Sequence, residues 1–321
     1  MESTAEMVKP LPALMRPPVR WVLRRWARSG RKYERLTHAI NKWGARAACG
    51  PLPTRLPNGC EMVCEVADHV QRYTYFRGLY ESVESYLFTL LLRRGMTVID
   101  VGANTGQYTL LAATAVGSEG AVHSFEPVPA NFRQLESNIT RNHLSNVTAV
   151  CGALWDEETE VALSVPKKTP GQSANSGQWS VGAPSGEMRP VGSKAFPLDT
   201  YAQRHHLQRI DFMKMDVEGA EPFVIRGARQ VISNSHPIIL AEVNQAALQR
   251  LGSSAAEFLG LLISLGYRAW KIGSSDDECA PVSDAGSLAY ANVIFHQDDL
   301  PPAVTSGWSR RTPRQWACSG W

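Results

Sequence analysis

The stretch TVIDVGANTGQY, residues 97–108, decides the fold of this chain. Strand-favouring residues lead into Asp100, a loop with glycines at 102 and 106 follows, and an apolar helical run begins at Tyr108. A strand, a glycine loop and a helix in this order are typical of a nucleotide-binding α/β unit. Gly102 allows a sharp turn, and we expect Gly106 to let the helix lie close to the strand.

The spacing of this loop indicates its ligand. A dinucleotide site needs G-x-G-x-x-G, so that bare backbone approaches a pyrophosphate. Here Asn104 stands between Gly102 and Gly106 and adds a hydrogen-bonding amide. The loop therefore predicts a smaller headgroup. S-adenosylmethionine, which has a carboxylate and an ammonium in place of a pyrophosphate, fits it, although a plain turn is the alternative for the loop alone.

The charge of the chain is unevenly distributed. The net charge of +3 over 321 residues conceals eleven Lys and Arg against three Glu in residues 1–46, which leaves 22 basic and 27 acidic residues elsewhere. Within that arm, residues 19–46 are rich in Arg and Trp and would suit an anionic membrane surface. The alternative is a helix that packs its Trp and Leu side chains on the body. Nucleic acid is not expected, because no other segment continues the basic pattern.

Cysteine usage and hydropathy indicate the compartment. The six cysteines form no C-x-x-C pair and no zinc-type cluster, which favours a reducing cytoplasm. Cys151 stands in an apolar strand pattern and is predicted to be a core thiol. No run of about 18 apolar residues occurs, so no membrane-spanning helix is expected. A secretory signal is not expected either, because the N-terminus lacks an uninterrupted apolar core. Peripheral membrane contact through the arm is the one membrane role considered.

Alternating periodicities predict an α/β fold with a doubly wound, Rossmann-like and mostly parallel sheet that carries an antiparallel edge hairpin. Strands are predicted near 97–101, 121–125, 147–151, 211–215, 237–242, 266–271 and 290–296. Helices are predicted near 107–116, 129–142, 200–207, 221–232 and 254–264. The segment after Tyr80 has helical periodicity and should pack on the sheet.

Three segments fall outside this alternation. Residues 51–58 suggest a linker and turn, and a short strand pair is expected within 59–80. Residues 166–195 are rich in Gly, Ser and Pro between strand-like flanks, which suggests a hairpin insertion near the cofactor end of the sheet.

The predicted cofactor residues follow the first three strands. Glu126 closes the second strand twenty residues beyond Gly106, an offset at which a carboxylate accepts hydrogen bonds from ribose hydroxyls. Pro127 ends that strand and opens the next helix. Ala153, after the third strand, is predicted to lie against the adenine ring, with an ordinary turn as the alternative.

The fourth strand ends in MDVEG, with Asp216 and Glu218 two residues apart. If the strand continues, both carboxylates point to the same side, and the fifth strand adds Glu242 at the same rim. Crowded carboxylates favour a general base or, alternatively, ligands of a hard divalent ion. A helix N-cap with a capping Glu is the structural alternative.

The chain resembles the FkbM family of S-adenosylmethionine-dependent methyltransferases over roughly residues 56–296. The stretches that carry the resemblance are VIDVGANTGQYTLLAA (98–113), SFEPVPANFRQLESN (124–138), FPLDTYAQRHHLQRIDFMKMDVEGAEPFVIRGA (196–228) and the Tyr80–Glu81 segment. The DVEGAE block is specific to that family. The resemblance implies O-methylation of a hydroxyl on a sugar, glycan, glycolipid or polyketide-type natural product.

The expected organisation is a basic extension over 1–55, a methyltransferase domain over 56–298 and a flexible tail over 299–321. The expected cofactor residues are Asp100, Gly102, Asn104, Gly106, Glu126, Pro127 and Ala153, and the expected catalytic residues are Asp216, Glu218 and Glu242. A non-catalytic or membrane-associated scaffold that retains the fold is the alternative function. A nicotinamide oxidoreductase is disfavoured by the missing middle glycine.

Overall fold

A computed structural model describes residues 50–166, 179–181, 188–273 and 279–305. The predictions for the basic arm, for most of the glycine-rich insertion and for the tail beyond residue 305 therefore lie outside the described residues. The chain divides into two compact units, of which residues 50–82 represent the first and the remaining described residues the second.

The first unit contains a hairpin and a helix. Strand β1 (Pro51–Arg55) pairs antiparallel with β2 (Glu61–Glu65), and helix α1 (His69–Arg77) follows. Asp68 caps that helix by accepting a hydrogen bond from the Gln71 N–H. The interpretation of 51–58 as a linker is wrong for β1, because its prolines are accommodated in a short two-stranded sheet with no strand beyond β1 among the described residues.

The second unit is built on an eight-stranded sheet with the order β13-β12-β14-β11-β10-β3-β4-β5. Its strands are β3 (Thr97–Val101), β4 (Ala121–Phe125), β5 (Val147–Val150), β10 (Phe212–Met215), β11 (Ile238–Asn244), β12 (Arg268–Lys271), β13 (Ala280–Pro281) and β14 (Tyr290–His296). The five strands from β5 to β11 are parallel. The order runs outward in both directions from β3 and β10, so the topological switch point lies between them.

The antiparallel strands occupy one edge of this sheet, as predicted, in an order that the sequence did not indicate. Strand β14 lies between β11 and β12 and pairs antiparallel with both, and β13 pairs with β12. The short strand β13 forms within the connection between β12 and β14, which explains why those two strands are not joined by a tight turn.

The helices of the second unit agree with the predicted alternation, except after β10. They are α2 (Ser82–Leu91), α3 (Gln107–Val116), α4 (Pro129–Arg141), α5 (Leu198–Arg204), α6 (Glu221–Arg226), α7 (Arg229–Ser235), α8 (Gln245–Arg250), α9 (Ala255–Ile263) and α10 (Pro302–Thr305). Phe88 of α2 packs edge-on against Phe212 of β10 with ring centroids 5.1 Å apart, which confirms that this helix lies on the sheet.

The single helix predicted over 221–232 is instead α6 and α7, separated at Gly227. A Cβ atom at Gly227 would lie 1.9 Å from the Trp155 carbonyl oxygen, so the chain passes very close to another backbone segment at this point. Glycine permits that approach, and the helix is interrupted there.

The predicted insertion forms a second sheet of four strands in the order β6-β9-β7-β8. Its strands are β6 (Ala153–Leu154), β7 (Thr159–Pro166), β8 (Ser180–Val181) and β9 (Met188–Phe196). Strand β6 pairs parallel with β9, and β7 pairs antiparallel with β8. The strand-like flanks predicted from the sequence are therefore real strands, and they are longer than expected.

Cys151 is exposed, and its prediction as a core thiol is wrong. Strand β5 ends at Val150 and lies at the edge of the main sheet, so the residue after it is not covered on both sides. The four cysteines in the described residues (60, 64, 151 and 279) are all free thiols. The helices in the described ranges include none with the length and apolar character needed to cross a membrane.

Candidate active site

The glycine loop is held against the end of β10. Gly102 has φ +76°, and a Cβ atom there would lie 2.1 Å from the Asp216 carbonyl oxygen. The Asp216 N–H in turn donates to the Val101 carbonyl at 3.1 Å. The loop and the candidate catalytic segment therefore meet backbone to backbone, and only glycine fits between them. At Gly106 the crowding comes from Leu135 of α4 and not from the strand, contrary to expectation.

Asp100 lies at the bottom of this loop and is completely buried. Its Oδ2 accepts a 2.6 Å hydrogen bond from the Thr109 hydroxyl, which lies 2.9 Å from the Ser124 hydroxyl. Its Oδ1 has no partner among the described residues. Burial raises the pKa of the Asp100 carboxyl above its usual range, and the charge of Lys214 opposes that shift.

Glu126, at the end of β4, is hydrogen-bonded to the backbone of the glycine loop. Its carboxylate accepts hydrogen bonds from the N–H groups of Asn104 and Val128, each at 2.8 Å. Burial raises its pKa to about 7. A carboxylate has about four lone-pair positions, so acceptor capacity remains for ribose hydroxyls. Its ribose-binding role stays a prediction.

An apolar pocket lies between the glycine loop and the second, four-stranded sheet. The empty space along it is about 310 Å³ when the part open to solvent is included, and the cavity volume itself is about 10 Å³. Gly102, Pro127 and Ala153, three of the predicted cofactor residues, line it together with Trp179 of the insertion. The remaining lining residues are Val101, Phe125, Gly152, Leu154, Trp155, Val161, Leu163, Val181, Val217 and Ala220. Trp179 and Val181 of the insertion therefore lie at the carboxyl ends of β3 and β4, the end of the sheet at which the cofactor is predicted to bind.

The three predicted catalytic carboxylates lie close enough to influence one another, but not through strand alternation. Strand β10 ends at Met215, and Glu218 has a left-handed backbone with φ 53°, so the strand does not continue through Asp216 and Glu218. The pKa of Glu218 is raised to about 8, chiefly by burial and then by the charges of Asp216 and Glu242. The left-handed turn at Glu218, and not a continued strand, therefore brings Asp216 and Glu218 near Glu242.

Glu242 is fixed by neighbours on two strands. The Tyr290 hydroxyl of β14 donates to its Oε2 at 2.8 Å, and the Asn244 amide lies 3.5 Å from its Oε1. Burial and the charge of Asp216 raise the pKa of Glu242 to about 7. Its carboxyl is thus held at the rim by hydrogen bonds that favour one orientation.

Two charged residues that sequence reasoning missed complete the cluster. Lys214 of β10 has a side chain only 7% exposed, and its Nζ lies 3.4 Å from Asp216 Oδ2. Glu221 begins α6 and accepts a 3.1 Å hydrogen bond from the Val217 N–H, so the capping glutamate is Glu221 and not Glu218. The available signals were a lysine inside the apolar run FMKM and a third acid in DVEGAE.

The metal alternative gains no support from the side-chain arrangement. Within the described ranges, no three His, Cys, Asp or Glu side chains are grouped so that they would hold a metal ion. The role of Asp216, Glu218 and Glu242 as candidate bases stays a prediction.

Glu221 gives a prediction about pH. Burial raises its pKa from 4.5 to about 7, and its Oε2 has no partner in the described part of the chain. The folded state therefore binds the proton more tightly than the unfolded state, and stability is lost as pH rises from about 4.5 through about 7. Glu221→Gln should leave stability near pH 5 little changed and should raise it near pH 8 by up to about 3 kcal/mol.

Urea unfolding at both pH values measures this effect. Glu119→Gln, at an exposed position, is the matched control and should follow the parent protein throughout. Equal stability of Glu221→Gln and the parent near pH 8 would contradict the assignment of a buried, destabilising charge.

Comparisons with known proteins identify the family of this chain. A family model described as "Methyltransferase FkbM domain" matches residues 100–269. Methyltransferase 1 of Beauveria bassiana is 27% identical over 148 residues, which are 40% of this chain and 57% of that protein. The tRNA (adenine(58)-N(1))-methyltransferase TrmI of Thermus thermophilus is 38% identical over 85 residues, which are 26% of this chain and 33% of that protein. The chain thus spans little more than half the length of the first relative and less of the second.

A solved O-methyltransferase from Bacillus cereus, in complex with SAH, is a more distant likeness. It has a TM-score of 0.39 and 16% identity, over 68% of this chain and 80% of that chain. A likeness at this level adds nothing to the assignment.

Proposed function

The chain belongs to the FkbM family of S-adenosylmethionine-dependent methyltransferases, and we propose that it methylates a hydroxyl of a sugar, glycan, glycolipid or natural product. The observation that carries this proposal is the direct backbone contact between Gly102 of the cofactor loop and Asp216 of the carboxylate cluster. That contact places candidate bases beside the loop of a methyltransferase fold, where an acceptor hydroxyl has to lose its proton.

The residues present fit the cofactor in three respects. The bend at Gly102 lies in close backbone contact with Asp216, which supports a loop of fixed conformation at the end of β3. Glu126 keeps acceptor capacity for ribose hydroxyls at the end of β4. The pocket beside Ala153 is almost wholly apolar, as the flat face of an adenine ring requires.

The mechanism divides the work between cofactor and protein. S-adenosylmethionine, when bound, supplies an electrophilic methyl group. The protein has to hold the acceptor oxygen in line with that methyl group, and we propose that the residues around the carboxylate cluster do so. Asp216, Glu218 and Glu242 are the candidates for taking the hydroxyl proton, because a base near the oxygen lowers the barrier as the bond forms.

Isothermal titration with S-adenosylhomocysteine tests the function directly. We expect measurable heat and a thermal shift, whereas the alternative scaffold function predicts neither. Labelling a lysate with tritiated S-adenosylmethionine, followed by separation into glycan, lipid, protein and small-molecule pools, would identify the acceptor class. Label confined to protein would contradict a sugar or natural-product acceptor.

Trp179 gives a prediction about the cofactor pocket. Its side chain is buried and lines the pocket together with Pro127 and Ala153, so we propose that it packs on the adenine end of the cofactor. Trp179→Ala should weaken the binding of S-adenosylhomocysteine and of 5′-methylthioadenosine by a similar factor of roughly ten, since both carry adenine. Calorimetry measures both affinities.

The matched control is Trp270→Ala, which removes an equally buried tryptophan from β12. It should leave both affinities unchanged. A Trp179→Ala protein that is folded and binds both ligands as tightly as the parent would contradict the proposed role of the insertion.

We also propose a cytoplasmic location, with the arm over 19–46 in contact with anionic membrane. Free thiols at the four described cysteines support the first part. The excess of basic residues in the arm supports the second. Sedimentation with phosphatidylserine liposomes, with and without residues 1–46, tests the contact, and equal binding by both forms would exclude it.

A further inference from the structure

Lys214 is a charged residue in the most enclosed part of the sheet. It lies on β10, with Asp100 of β3 on one side and Leu240 of β11 on the other. A lysine is rarely buried unless its charge is compensated, because the ammonium loses its hydration. Its presence in the central strand therefore needs a reason beyond packing.

The surroundings of the ammonium connect the cofactor loop with the carboxylate cluster. Its Nζ lies 3.4 Å from Asp216 Oδ2 and 4.7 Å from the centre of the Tyr108 ring, in the first turn of α3. It also acts on the carboxyls of Asp100 and Glu242, whose pKa values it lowers against the effect of burial. One cation thus faces acids from three strands and an aromatic ring from the helix that follows the glycine loop.

The three candidate bases differ in their relation to this cation. Asp216 is in direct contact with it and has a side chain that is 32% exposed. Burial and neighbouring negative charges raise the pKa of Glu218 to about 8, so its ionised form is disfavoured at neutral pH. Glu242 has its oxygens directed toward Tyr290 and Asn244.

A base has to be ionised and accessible before it can take a proton. Asp216 contacts the Lys214 ammonium, and its partial exposure leaves it within reach of an acceptor. Asp216 also faces the carboxyls of Asp100, Glu218, Glu221 and Glu242. Lys214 is the cation nearest to this group among the described contacts.

We propose that Lys214 is a positioning residue that holds the Asp216 carboxylate in the orientation in which it removes the proton of the acceptor hydroxyl. The inference rests on the proposed function. The hydroxyl proton passes to Asp216, the methyl group replaces it on the acceptor oxygen, and the carbon–sulfur bonding pair stays on sulfur. Asp216 then returns the proton to water through its exposed side. Lys214 takes no proton in this sequence and acts only through the carboxylate.

Carbon-13 NMR of side-chain carboxyls tests the proposal without an acceptor. The protein is labelled at aspartate Cγ, and Asp216→Asn identifies the Asp216 signal. We compare the parent, Lys214→Met and Lys214→Arg between about pH 4 and pH 9. Lys271→Met, at an exposed position on β12, is the control for removal of a lysine charge.

We expect the Asp216 midpoint to rise by about one pH unit or more in Lys214→Met and to return toward the parent value in Lys214→Arg. An Asp216 midpoint that is the same in the parent and in Lys214→Met would overturn the proposal. If Lys214→Met does not fold, Lys214→Gln takes its place in the same comparison, and an Asp216 midpoint equal to that of the parent would again overturn the proposal.

Titration of the same samples with S-adenosylhomocysteine separates the two levels of inference. A parent protein that does not bind the ligand contradicts the proposed function. A parent that binds it, but whose Asp216 is insensitive to Lys214, contradicts only the role of the lysine.

Discussion

Asp216→Asn is expected to reduce methyl transfer by about a hundredfold or more while the affinity for S-adenosylhomocysteine changes little. Asparagine has almost the shape of aspartate and preserves the backbone contact with Gly102, but it cannot accept the proton of a hydroxyl. The measurement is turnover of tritiated S-adenosylmethionine with the acceptor fraction from the labelled lysate, together with calorimetry of ligand binding.

Two further variants make this result specific. Asp298→Asn, an exposed substitution of the same kind, should retain full turnover. Glu218→Gln reports on the neighbouring candidate. If Glu218→Gln loses turnover while Asp216→Asn keeps it, the base is Glu218 and the preference for Asp216 is wrong. Full activity in both variants would remove the base from this turn.

Gly102→Ala is expected to reduce the free energy of unfolding by about 3 kcal/mol or more and to abolish binding of S-adenosylhomocysteine. The new methyl group would lie 2.1 Å from the Asp216 carbonyl oxygen, which is backbone and has no rotamer by which to move away. Either the loop or the Asp216 turn has to shift, and both belong to the candidate site. Thermal unfolding and calorimetry measure the two effects.

Gly252→Ala is a matched control for this variant. Gly252 has the same φ of +76°, but nothing lies within 4 Å of a Cβ atom placed there. It should cost only the roughly 1–2 kcal/mol of a left-handed alanine and should leave ligand binding intact. Equal effects of the two substitutions would show that backbone strain, and not the close approach to Asp216, governs position 102.

The sequence was sufficient for the central strands of the main sheet, because β3, β4 and β10 are short, mostly apolar runs followed by a glycine or an acidic residue, whereas the short strand β13 was not predicted. Strand β3 and its loop are the clearest case, since Val98 and Ile99 are fully buried and Gly102 turns the chain. Periodicity could not locate the break at Gly227, because its cause is a distant backbone segment at Trp155. The same limit applies to Cys151, whose exposure depends on the position of β5 at the sheet edge.

The candidate site was predictable in its residue types and less so in its geometry. Asp216, which follows β10, and Glu242, near the end of β11, lie close together because the carboxyl ends of parallel strands share one edge of the sheet, and this could be predicted from the sequence. The left-handed turn at Glu218 could not be predicted from strand alternation, because alternation indicates only which residues of a continuous strand face the same side. Lys214 was missed because a single lysine in an apolar run is usually assigned to a solvated face, whereas here it is buried against Asp216.

The placement of β14 has a consequence for biosynthesis. Domains generally fold as the chain emerges, with the N-terminal parts first. Strand β12 pairs with β13 and β14 and does not pair with β11 in the described structure, so one side of the sheet stays open until β14 has left the ribosome. The same strand carries Tyr290, the hydrogen-bond donor to Glu242. A ribosome-bound nascent chain that ends before residue 290 would therefore leave this edge of β11 unpaired and would lack the tyrosine that holds Glu242.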